Sequence, residues 1–225
     1  ILYPFDFINK KKGGVIVATT RPETMLGDVA VAVNPKDKRY KSLVNQTVIL
    51  PIVEKKIPII TDNLVNPHFG TGAVKVTPCH DPKDWQIAKR KKIDSVLYRQ
   101  VIDTNGKMTV FAGEAFQGLT ISQAREKILL LLKKEALLIK EKNYRHRVGH
   151  CYKCDGVIEP LPMKQWFVKI KPLALKAKKK INKNEIKIYP KRFKKILLWW
   201  LDNFHDWNIS RQIVWGIQIP AYYCN

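Results

Sequence analysis

Short apolar runs broken by turn-forming residues fill the first half of the chain. Ile1–Ile8 and Val15–Thr20 are rich enough in β-branched and aromatic residues for strands, and the lysine- and glycine-rich Asn9–Gly14 predicts a hairpin turn between them. Arg21-Pro22 stops the second run, and Pro22-Glu23-Thr24 makes a turn or a single helical turn. Asp28–Val33 is a further strand closed by Asn34-Pro35, followed by a short helix around Lys38–Val44 and strands over Thr47–Val53 and Ile57–Thr61. Asp62–Gly72 reads as a loop and Ala73–Val76 as a strand broken at Pro78. Asp81-Pro82 then has the form of an N-cap and first residue of a helix running through Trp85–Lys92. Val96–Val101 and Met108–Phe111 flank Asp103-Thr104-Asn105-Gly106, a strong hairpin signal. Ile121, Ala124, Ile128, Leu131, Leu132 and Leu138 form a helical stripe, so Thr120–Leu138 is a helix with Thr120 or Ser122 as its cap. Many short strands with few helices predict a mostly β unit, a closed or nearly closed β-barrel with helices on its outside.

Beyond Ile139 the composition changes, which puts a domain boundary near residues 140–150. Lys140–Cys154 is basic and carries two histidines and two cysteines. From Lys164 to Lys195 thirteen basic residues face one acid, Glu185, and Trp166, Phe167, Tyr189 and Phe193 are interleaved among them. A solvated helical face explains most lysine runs, and the aromatics tilt the reading modestly towards nucleic acid. The net charge of +22 points the same way, since a balance that large favours a polyanion. Part of it is compositional, because 32 of the 41 basic residues are lysine. No run of eighteen apolar residues and no basic leader ahead of an apolar segment is present, so neither a membrane span nor a signal peptide is expected. Four cysteines, two of them in a CxxC, suit a reducing compartment and a possible metal better than disulfides.

The chemistry gathers between Phe69 and Asp84. Gly70 and Gly72 allow the backbone to approach a ligand closely, and Lys75 and Thr77, two apart on a strand, share a face. Asp81 and Asp84 follow at the start of the helix, where carboxylates suit the dipole. A capped helix after a buried strand accounts for Asp81 and Pro82 but not for a lysine and a threonine facing two carboxylates.

This stretch, GTGAVKVTPCHDPKD, together with Thr19-Thr20-Arg21-Pro22-Glu23-Thr24-Met25-Leu26-Gly27-Asp28, resembles the editing domain inserted in class I aminoacyl-tRNA synthetases of the valyl, isoleucyl and leucyl group. Lys75 and Thr77 lean it towards the valyl branch, whereas Ile217 departs from that branch's usual pattern and leans towards the isoleucyl branch or a subset of the valyl one. The likeness continues through Gly118-Leu119, Gly149-His150-Cys151, Val157-Ile158-Glu159-Pro160 and Lys164–Val168 to Asp206–Gln212, and so covers essentially the whole chain. It implies an editing domain over residues 1–145, then a partial zinc-ribbon-like connection and an α/β return into the catalytic core over 146–225. The HIGH and KMSKS signatures of a complete synthetase are absent, so this piece is not expected to attach an amino acid.

The implied activity is hydrolysis of threonyl-tRNA(Val), with no cofactor for editing and ATP used only by the parent enzyme. Lys75, Thr77 and Asp81 would read the threonine hydroxyl and Asp84 the α-ammonium group. Thr19, Thr20, Arg21, Glu23 and Thr24 would face the terminal adenosine, with Arg21 either meeting phosphate or holding the loop. His80 is read as structural, with proton transfer as its other role. Implied alongside are a cytoplasmic monomer and misacylated tRNA(Val) as the partner. Two alternatives stand beside this, an isoleucyl-type editing domain and a tRNA-binding module without chemistry. Cys151 and Cys154 supply half of a tetrahedral zinc set. A second CxxC is missing near Cys224, so no firmly held zinc is expected, and Cys79 is read as packing.

Overall fold

The computed structural model describes residues 1–6, 13–211, 213, 215–222 and 224, so the predicted turn over Asn9–Gly14 lies largely outside the described residues. The chain divides into two compact units, Ile1–Pro162 and Met163–Asn225.

In the first unit β1 (Leu2–Pro4) pairs antiparallel with β2 (Gly14–Ile16), as the hairpin pattern predicts. β3 (Ala30–Val33), β4 (Thr47–Leu50), β5 (Lys55–Thr61) and β6 (Ala73–Val76) form one sheet in the order β4-β5-β3-β6. The β3–β5 pair is parallel and the other two are antiparallel. The run Ala-Val-Ala-Val of β3 is buried at every position because both sheet faces are covered. Val31 and Val33 look into the larger core with Met25, Leu26 and Ile59, while Ala30 and Ala32 look into a smaller one with Ile87 and Ala88. Those last two belong to α1 (Pro82–Arg90).

The larger core is closed by α2 (Ile121–Lys134), whose Ala124, Ile128 and Leu132 repeat every four residues and are fully buried. Its start is a capping box, in which Thr120 Oγ1 accepts from Gln123 N–H and Gln123 Oε1 accepts from Thr120 N–H.

The fold is mixed α/β, with a four-stranded and a two-stranded sheet in this unit, and the expected closed or nearly closed barrel is not formed by these sheets among the described residues. The segments predicted to extend the sheet, Val96–Val101 and Met108–Phe111, carry instead the 3-10 turns Ser95–Leu97 and Val110–Ala112. Side chains fix these turns, since Asp94 accepts from Val96 N–H at 3.0 Å and Thr109 from Phe111 N–H at 3.2 Å. One bridge, Ile102 to Met108, survives of the predicted hairpin, around a turn tied by Asp103.

In the second unit β7 (Phe167–Val168) pairs with β8 (Trp207–Asn208), and between them α3 (Ile170–Asn182) lies against α4 (Phe193–Asn203). Lys178 and Asp202 join the two helices at 2.5 Å. Ala174 and Ile181 are buried, but Leu173, Leu175, Ile196, Trp199 and Trp200 stay more than half exposed, since two helices cannot cover each other's full apolar surface. No described helix is long and apolar enough to cross a membrane.

Candidate active site

Strand alternation places the polar cluster. On β6, Val74 and Val76 turn to the core under α1, so Ala73, Lys75 and the following Thr77 turn to the larger core. β3 runs antiparallel beside them, with Val31 opposite Lys75. Above this face the 3-10 segment Pro22–Gly27 brings Thr24 down onto the lysine, and Asp28 follows immediately. Gly27 packs closely beside the cluster, since a Cβ there would meet Arg99 O at 2.8 Å and Thr77 Cγ2 at 3.3 Å.

Lys75 is 7% exposed, and its Nζ donates to Thr24 Oγ1 at 2.7 Å and to Thr77 Oγ1 at 2.6 Å. Thr77 Oγ1 donates to Asp28 Oδ1 at 2.5 Å, and Asp28 Oδ2 accepts from the Tyr3 hydroxyl at 2.7 Å. Asp28 Oδ1 lies 3.5 Å from Lys75 Nζ, so the buried ammonium has a buried counter-charge. Each hydroxyl thereby acquires a direction, with Thr77 giving its proton to Asp28 and receiving one from Lys75. Burial pushes the Asp28 carboxyl above its ordinary range, against the pull of Lys75, Thr77 and Tyr3. Burial and the neighbouring Asp28 push the Tyr3 phenol well up.

Asp84 closes the cluster from the first turn of α1. It is 6% exposed, and its Oδ2 accepts from Thr77 N–H at 2.8 Å. Burial pushes its carboxyl up to about 7, with the Lys75 charge and the Thr77 N–H pulling the other way. One ammonium and two carboxyl groups thus share a small buried volume, and the less compensated acid is half-neutral near pH 7.

The other predicted residues divide. Asp81 is exposed and occupied as the N-cap of α1, accepting from Lys83 N–H at 2.7 Å and Asp84 N–H at 3.4 Å. Thr19 accepts from Arg21 N–H at 3.0 Å, and Thr20 is exposed. Thr24 lies in the buried cluster, whereas Glu23 is turned inward at 0% exposure between Arg21 and Arg125 of α2. Arg21 holds the loop: its guanidinium donates to Glu23 Oε1, to His80 O and to both oxygens of Glu159.

His80 is buried, and its Nε2 accepts from Val101 N–H at 3.0 Å. Nδ1 has no hydrogen bond and sits 3.5 Å from Glu159 Oε1, so both ring nitrogens face protein. At Gly72 (φ +80°) a Cβ would meet Arg39 Nη2 at 2.4 Å and Pro67 O at 2.9 Å; the close approach there is the protein's own.

Tyr3, Asp28, Arg125 and Glu159 are absent from the sequence-level candidates. Asp28 carried a signal, an acid directly ahead of an unbroken apolar strand. Tyr3 and Arg125 had none, being ordinary members of a strand and of a helix's polar face.

Cys151 and Cys154 share a turn in which Cys151 N–H donates to Gly156 O and Asp155 N–H to Cys151 O, both at 2.8 Å. Backbone N–H groups of Lys153 and Cys154 lower the Cys151 thiol. Among the described residues no group of three or more His, Cys, Asp or Glu side chains suited to a metal ion is formed. A concavity of about 600 Å³ lies in the second unit, lined among others by Phe204, Asp206, Trp207 and Arg211, and none of the Lys75 cluster lines it.

Residues 7–225 match the family described as tRNA synthetases class I (I, L, M and V). The chain is 53% identical over 224 residues to a valine–tRNA ligase of Petrotoga mobilis and 52% identical over 225 residues to one of Carboxydothermus hydrogenoformans. Each alignment takes in 100% of this chain and 25% of the relative, so the chain spans about a quarter of their length. A solved structure titled "The crystal structure of GlLeuRS-CP1" has a TM-score of 0.39 and 17% identity, covering 54% of this chain and 80% of that one, too weak a likeness to assign anything. On the family match and these identities, the chain belongs to the class I tRNA synthetases of the isoleucyl, leucyl, methionyl and valyl group.

Proposed function

We propose that the Lys75–Thr77–Asp84 cluster hydrolyses the ester of threonyl-tRNA(Val), as the editing site of a valine–tRNA ligase. The observation that carries this reading is the buried Lys75, bonded to two threonine hydroxyls beside two buried carboxyl groups. Binding an RNA backbone requires cations at the surface and no buried acids, so a pure binding module leaves this arrangement without a use. Editing gives it one. A hydrophobic pocket cannot strongly reject an isostere that merely adds a hydroxyl, the accepted case of valine against threonine, so a second site must recognise that hydroxyl. Directional donors and acceptors supply the recognition, and Asp84 supplies the negative charge for the α-ammonium group.

The reaction is attack of water on the ester carbonyl carbon. The bond to the terminal ribose oxygen breaks, that oxygen takes a proton, and threonine leaves. Aminoacyl esters are already activated, so holding the ammonium group and orienting water suffices without a nucleophilic side chain. His80 is held as a structural residue, with neither nitrogen facing the Lys75 cluster.

The test compares hydrolysis of threonyl-tRNA(Val), valyl-tRNA(Val) and valyl-tRNA(Ile) by the full chain. Threonyl ester cleaved well ahead of both valyl esters supports the reading. Preference for valyl-tRNA(Ile) assigns the site to the isoleucyl type, and hydrolysis of none leaves the binding module.

A further inference from the structure

We infer that Glu159 is a positioning residue of this site, clamping its two walls from a segment far away in sequence; the inference deepens the editing reading and rests on it. Residues 139–162 carry no named strand or helix and bring Glu159 to Arg21 and His80. Both carboxylate oxygens accept from Arg21 Nη2, at 2.7 and 2.6 Å, across 138 positions of sequence. The same guanidinium bonds Glu23, which Arg125 of α2 holds from behind, and the carbonyl of His80.

Arg21 therefore ties the Thr19–Thr24 loop to the Thr77–Asp84 corner, and Glu159 fixes the orientation in which it does so. His80 strengthens this view. Its Nδ1 is the buried side-chain nitrogen without a hydrogen bond among the described residues, and the group it faces is Glu159. Since Nε2 receives the Val101 N–H, a ring proton belongs on Nδ1, which lies 3.5 Å from that carboxylate.

Partly exposed ion pairs add little stability, and here the Arg21 and Glu159 side chains are 29% and 18% exposed. The clamp serves geometry, and it also occupies the Arg21 charge that would otherwise be open to RNA phosphate.

The test uses the full chain carrying Glu159→Gln, Glu159→Ala or Glu159→Asp, with threonyl-tRNA(Val) as substrate. Loss of the clamp is expected to lower kcat about ten- to hundred-fold, the cost of a small misplacement at a reacting centre. KM is expected to stay unchanged or fall, because Arg21 is released towards phosphate. Melting temperature should stay within about 4 °C of the parent, and Glu159→Asp, which keeps the charge, should recover part of kcat. Wild-type kcat in Glu159→Gln, a loss confined to KM, or a loss that follows the folded fraction overturns the inference.

Amide hydrogen exchange of residues 19–24 separates this inference from the editing reading. Should the parent chain cleave no threonyl ester, the editing reading fails. Faster exchange in Glu159→Gln then still supports the clamp, and unchanged exchange overturns it.

Discussion

Burial holds the Asp84 carboxyl up at about 7, and stability and function pull on that proton in opposite directions. The folded site favours the neutral acid, so below the ordinary carboxyl range near 3.8 both folded and unfolded chains are protonated and no penalty exists. As pH rises from there to about 7 the unfolded chain ionises first and stability falls; above 7 the penalty is complete, on the order of 4 kcal/mol for a displacement of this size. Asp84→Asn keeps an acceptor for Thr77 N–H and cannot ionise. Urea denaturation at pH 4 and pH 8 should show the variant gaining on the parent by an amount of that order. A difference that is flat with pH would contradict an Asp84 carboxyl held up by burial. In the proposed reaction a bound ammonium group reverses the preference and draws the proton off Asp84, so the residue costs stability in order to recognise a cation.

At the scale of elements, α1 sets the position of Asp84 and is started by Asp81. Its exposed carboxylate accepts from two N–H groups of the first turn, both at Oδ1. Asp81→Ser preserves the cap, whereas Asp81→Ala should cost about 1 kcal/mol. Threonyl ester hydrolysis near the parent rate in Asp81→Ser, with Asp81→Ala the less stable of the two by thermal melting, is the expected pattern. Equal loss of hydrolysis in both variants would return Asp81 to the substrate.

This part of the fold was legible because local signals and tertiary packing agree. The Asp-Pro start and the strand Ala73–Val76 stand where the sequence put them, and of the two caps offered for α2 the structure uses Thr120. The segments at 96–101 and 108–111 misled because their apolar residues suit a strand, while Asp94 and Thr109 offer the backbone a closer partner. Val96 and Val110 end up 69% and 59% exposed, and no sheet edge receives them. In the site, Lys75, Thr77 and Asp84 could be read from strand parity and helix start. Tyr3 could not, since its link to Asp28 is made by folding across 25 positions, and Glu159, though inside the resembling stretch Val157–Pro160, meets Arg21 only across 138.

Over the whole molecule, the charge is mostly exposed and the chemistry is buried. The net charge of +22 divides equally between the two units and is carried largely by exposed lysines, while the Lys75 cluster lies inside the first unit. Affinity for tRNA should therefore come mainly from backbone attraction and fall about 10³-fold or more between 50 and 200 mM salt if six or more phosphates are engaged. The single-turnover cleavage rate of bound substrate should hardly change over the same range, because the buried groups are little screened. A cleavage rate that falls in step with binding would mean that surface charge, not the buried cluster, governs the reaction.

The most direct test of the central claim is single-turnover deacylation of threonyl-tRNA(Val) by the parent chain and by Asp84→Ala at saturating protein. The site described here predicts clear hydrolysis by the parent and a loss of about 100-fold or more in the variant, the scale on which positioning acts. Undiminished hydrolysis by Asp84→Ala would contradict it.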